Sequence, residues 1–167
     1  SVLAFVPMAM LLEDTTLEED STAQHTFAAS DVTLTINGGV TFGTASGNSQ
    51  IDTASTNSSI IISGDALIRG AYNGIRANNS TGLYIFNDGS ISTSQTRAIN
   101  LLGSTNAEII NNTSGIISSE TGNTIAASSG TISGATVTNS GLIYATSGTA
   151  ITFGSTSSGT TLTNNSG

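Results

Sequence analysis

'LYIFNDGSISTSQTRAI', Leu83 to Ile99, spaces Leu83, Ile85, Ile91 and Ile99 by short polar steps and puts Asn87 and Gly89 between two apolar segments. Apolar residues that alternate with polar ones over a few positions form a strand with one face buried. The same pattern can be laid over most of the chain after Ser30. One apolar column runs Ile36, Ile62, Ile85, Ile109, Val137 and Leu162. A second runs Phe42, Ile68, Ile91, Ile117 and Ile143, and a third Ile51, Ile75, Ile99, Ile125 and Ile151. All three repeat in steps of 23 to 28 residues.

A unit of this length holding three short strands cannot bury its apolar face alone, so neighbouring units must stack into a solenoid. The expectation is an all-β chain forming a right-handed parallel β-helix of about 5 to 6 coils. Coils rising about 4.8 Å each give a rod roughly 25 Å long. Right-handedness is expected because the coils are longer and more variable than strict hexapeptide repeats. The division expected is an N-terminal apolar and acidic extension over 1–30, then the solenoid over 31–167. Asn87, Asn111, Asn139 and Asn164 follow the anchoring apolar residue at a fixed offset, with Gly89, Gly115 and Gly141 close behind. Asn and Gly tolerate φ > 0, so this turn ladder is expected to bend each coil at one place, with the Asn amides bonding along the stack.

The repeats 'VTNSGLIYATSGTAITF' (Val137 to Phe153) and 'IFNDGSISTSQTRAIN' (Ile85 to Asn100) resemble the parallel β-helix of bacterial autotransporter passengers and filamentous haemagglutinin-like surface adhesins. The likeness covers Asp31 to Gly167. It implies an extracellular or cell-surface protein with a structural or adhesive role.

Composition narrows the partners. The chain has 167 residues, a net charge of -8 and three basic residues, Arg69, Arg76 and Arg97. No basic stripe is available to neutralise phosphates, so nucleic acid is not an expected partner. Zero Cys removes disulfides and thiolate metal sites. Apolar residues run from Val2 to Leu12, too few for a helical membrane span of about 20 residues. Five acids follow within eight positions: Glu13, Asp14, Glu18, Glu19 and Asp20. The apolar run could be a helical cap started at Pro7, a retained export signal, or a strand that completes a neighbouring copy's sheet. The last is the favoured reading, with Val2, Leu3, Ala4, Phe5, Val6, Met8, Met10, Leu11 and Leu12 as docking residues.

Candidate chemistry is sparse. Asp65 and Asp88 fall at matching places of adjacent coils, where two close carboxylates could hold Ca²⁺, but solvated turn residues explain them as well. Asp52 and Arg76 follow Ile51 and Ile75 and should pair across coils. His25 lies outside the repeat and reads as a linker residue. Tyr72, Tyr84 and Tyr144 occupy three different columns, so no sugar platform is expected. No cofactor or enzyme is expected. The function expected is a self-assembling extracellular filament or surface-layer subunit, its own partner, growing from the incomplete coil 'TNNSG'. The alternative is an adhesin binding cell-surface glycans, with a polysaccharide-cleaving β-helix or an ice-binding Thr-x-Thr array well behind.

Overall fold

A computed structural model describes residues 8–43, 49–127 and 130–165 of the chain. The chain runs as successive three-strand turns. The first holds β1 (Met8–Leu11) and β2 (Thr15–Leu17); the second β3 (Gln24–Phe27), β4 (Thr33–Ile36) and β5 (Thr41–Phe42). The third holds β6 (Ile51–Thr53), β7 (Ser59–Ile62) and β8 (Leu67–Gly70); the fourth β9 (Asn73–Ala77), β10 (Tyr84–Asn87) and β11 (Ser90–Thr93). Next come β12 (Arg97–Asn100), β13 (Glu108–Asn111) and β14 (Ile116–Ser119), then β15 (Ile125–Ala126), β16 (Thr136–Asn139) and β17 (Leu142–Ala145). The final turn holds β18 (Ile151–Thr152) and β19 (Thr161–Asn164).

Equivalent strands of successive turns pair in parallel, making three sheets along one axis. Sheet A runs β1-β3-β6-β9-β12-β15-β18, sheet B β2-β4-β7-β10-β13-β16-β19, and sheet C β5-β8-β11-β14-β17. Five turns are complete, and no helix occurs among the described residues. None is therefore long and apolar enough to cross a membrane. The fold is the expected all-β parallel solenoid of about five turns.

Two of the expected apolar columns stack as read. Phe42 pairs with Ile68, then Ile91, Ile117 and Ile143 along sheet C. Ile51, Ile75, Ile99, Ile125 and Ile151 stack along sheet A. The remaining column is corrected. Ile60, not Ile62, pairs with Ile85, so this column is Leu34, Ile60, Ile85, Ile109, Val137 and Leu162. Ile36 and Ile62 belong to the neighbouring inward column, which continues as Asn87, Asn111, Asn139 and Asn164. A slip of two residues leaves every side chain on the same face, so apolar periodicity alone cannot detect it.

The chain near its start also differs from expectation. Residues 8–27 are not an extension beside the solenoid; β1 and β2 form its first turn. Met8 to Leu11 pair with Gln24 to Phe27, and Thr15 to Leu17 pair with Leu34 to Ile36. Leu11 is buried in the common core, while Met8, Met10 and Leu12 are exposed. Alternation explains this, because Ala9 and Leu11 face inward and the methionines outward. Val2, Leu3, Ala4, Phe5 and Val6 lie outside the described residues. The acidic run is engaged too. Carboxylates of Asp14 and Asp20 accept the main-chain N–H groups of Thr33 and Thr41, each at 2.7 Å, and Glu18 accepts from the Asn37 amide at 2.8 Å.

His25 is no linker residue either. It stands in the sheet A column between Ala9 and Ile51 and is buried, its ring edge-on to Phe42 with centroids 4.7 Å apart. Its Nδ1 bonds the Ala23 carbonyl at 3.0 Å, and burial holds the imidazole pKa below 6.5 against the opposing pull of that hydrogen bond.

Candidate binding face

The Asn column forms a continuous amide ladder. Asn87 Nδ2 donates to Asn111 Oδ1 at 2.8 Å, Asn111 to Asn139 at 2.8 Å and Asn139 to Asn164 at 2.7 Å. The same amide nitrogens donate to carbonyls of Gly89, Gly115 and Gly141, which fixes which way each amide faces. The ladder stops at Asn87, whose buried Oδ1 has no hydrogen-bond partner, because the turn before it offers Ile62.

The expected bend at these Asn residues is corrected. None of the four has positive φ, and all four end strands of sheet B. The following Gly column serves close approach: a Cβ on Gly115 would stand 2.5 Å from the Asn87 carbonyl oxygen and 2.3 Å from Asn111 Oδ1. The left-handed corner lies elsewhere, at Asp31, Asn57, Gly82, Asn106, Gly134 and Gly159, all with φ between 52° and 65°. That column repeats at the common period and holds only residue types that tolerate the conformation, so it was readable in the sequence.

The two candidate calcium ligands do not occupy matching places. Asp88 follows Asn87 and donates its N–H to the Ile62 carbonyl, which aligns it with Ser63. Asp65 sits in the longer connection between β7 and β8 with φ 64°. Asp88 Oδ1 accepts from Asn112 Nδ2 at 2.9 Å and from the Ser114 hydroxyl. Among the described residues no group of three or more His, Cys, Asp or Glu could hold a metal ion.

The charges are unequally spent. Arg76 grips Asp52 with two parallel bonds of 2.7 and 2.8 Å, the expected cross-coil pair, and Gln24 adds a third bond to that carboxylate at 2.9 Å. Arg97 is half-buried with an unpartnered Nε. Arg69 is exposed and makes no hydrogen bond or ion pair among the described residues.

Arg69 stands on the outer face of sheet C, which carries two rows across the turns. Leu67, Ser90, Ile116 and Leu142 stack in one row; Arg69, Ser92, Ser118 and Tyr144 stack in the other. Bends after β11, β14 and β17 contribute Ser94, Glu120 and Thr146 beside them, enclosing a groove of about 450 Å³. A shallower depression of about 290 Å³ lies across the first row, beside Asp65 and Asp88. Tyr144 is 42% exposed, Ile116 38% and Leu142 51%, although sheet residues on the inner face are closed off. Tyr72 is exposed beyond the end of β8 and Tyr84 lies on sheet B, so Tyr144 alone serves this groove. The groove is legible only once inward columns are known, since its residues flank Ile68, Ile91, Ile117 and Ile143.

No family model, curated protein or solved structure matches the chain. Its functional reading therefore depends on this geometry.

Proposed function

We propose that the chain is a self-assembling structural rod of the extracellular or cell-surface kind, with no catalytic role, that associates with copies of itself. The observation carrying this reading is the stacking: equivalent strands of successive turns pair in parallel and in register along three sheets, and the inward apolar columns recur from turn to turn. Units that bury their apolar face only against a near-copy of themselves are built to stack, and the same in-register pairing suits addition of further copies.

Docking by the N-terminal apolar run narrows in this reading. Met8 to Leu11 pair within their own sheet, so these four residues are not the ones offered to a neighbour. Sedimentation velocity over a wide concentration range tests the proposal. The wild-type chain should sediment faster as concentration rises, with an unchanged circular-dichroism spectrum. Concentration-independent sedimentation of the wild-type chain contradicts it.

A second reading, an adhesive rod that holds a glycan, is supported by a different observation: the groove on sheet C. Both readings suit the resemblance to surface adhesins, and one rod can serve both.

A further inference from the structure

The outer face of sheet C gathers an unpaired guanidinium, a half-exposed phenol ring and a floor of hydroxyl groups into one groove. We propose that this groove binds a short oligosaccharide bearing a carboxylate, with the carboxylate on Arg69 and a sugar ring against Tyr144; the proposal rests on the adhesive reading above.

Size and lining select the ligand class. About 450 Å³ lies within the range of small-molecule sites, about 300–1,000 Å³. Seven of the thirteen lining residues are Ser or Thr; Thr93 and Ser119 are buried with their hydroxyls given to main-chain carbonyls, and the other five leave a polar wall that suits a hydroxylated ligand better than an apolar one. An extended peptide is disfavoured for another reason. Interior strands β8, β11 and β14 pair on both sides, leaving no free main-chain edge for strand addition there.

Charge then gives the ligand a direction. The chain carries -8, so an anion gains nothing from long-range attraction and must be recognised by contact. Arg69 supplies that contact, since a free guanidinium fork matches a carboxylate with two parallel bonds. Glu120 sits about two turns further along, near 10 Å at 4.8 Å per turn, and would repel a carboxylate there while accepting from hydroxyl or amide N–H groups. Tyr144 lies three turns from Arg69 in the same row, about 14 Å, which is a span for two or three linked sugar rings. The anionic end therefore points toward the first turn and the neutral end toward the last.

The test uses the full chain on an array of oligosaccharides in matched carboxylated and neutral forms, with affinities of retained sugars measured by titration. The expected result is retention of carboxylated sugars at least tenfold more tightly than their neutral counterparts. Arg69→Ala and Tyr144→Ala should each weaken binding at least tenfold with unchanged melting temperatures, both side chains being exposed. Retention of sugars that is indifferent to the carboxylate, or to both substitutions, overturns the groove proposal and leaves the adhesive reading standing. Retention of no sugar at all overturns both. Loss of concentration-dependent sedimentation leaves the groove untouched and removes only the assembly reading.

Discussion

Asn111 shows how a single polar side chain can hold a stack together. Its amide nitrogen donates to Asn139 Oδ1 at 2.8 Å, to the Gly115 carbonyl at 3.0 Å and to the Leu142 carbonyl at 3.3 Å, and its oxygen accepts from Asn87 at 2.8 Å. All of this is buried, where an unpaired polar group costs about 1–3 kcal/mol. Asn111→Ala strands the Asn139 acceptor and leaves Asn87 Nδ2 only its longer bonds to the Gly89 and Ile116 carbonyls, so with the four bonds of Asn111 lost it should destabilise the fold by about 3 kcal/mol. Thermal melting checks this, and a fall of about 10 °C is expected in a chain of this size. At the ladder's head Asn87 Oδ1 is already unpartnered against Ile62, so the same physics operates there as a standing cost.

Among the elements, the first turn is the most exposed to solution conditions. Its β1 is a terminal strand of sheet A, and its partner strand β3 carries His25, packed edge-on against Phe42. Burial lowers the His25 pKa from 6.5, so the folded chain binds this proton less readily than the unfolded chain. The contribution of the neutral ring is fully present above about pH 6.5 and is lost as pH falls from there through the lowered folded value. Thermal melting compared at pH 7 and pH 5 should show the wild-type chain losing stability, and His25→Phe losing less of it. An equal loss in both would remove His25 as the cause. This turn is also where periodicity misled. The acids at 13 to 20 have the composition of a linker, and only register reveals that Asp14 and Asp20 bond to main-chain N–H groups of Thr33 and Thr41. By contrast, Ile68 and Ile91 share a column in which no second large apolar residue lies two positions away, only Ala66, Gly70, Gly89 and Thr93, and the sequence located them without ambiguity. Leu34 with Ile36, and Ile60 with Ile62, offered two inward choices per strand, and nothing in apolar spacing separates them.

At the scale of the whole molecule, in-register columns run through three parallel sheets from turn to turn. The fold was legible because stacking forces every unit to reuse one pattern. The groove was not, because outward residues are free to vary and Arg69, Ser92, Ser118 and Tyr144 share no residue type to mark their row. Sedimentation equilibrium tests the central claim of self-assembly most directly. The weight-average mass should rise with concentration to several times the 16.7 kDa of one chain. A mass of one chain at every concentration would contradict it.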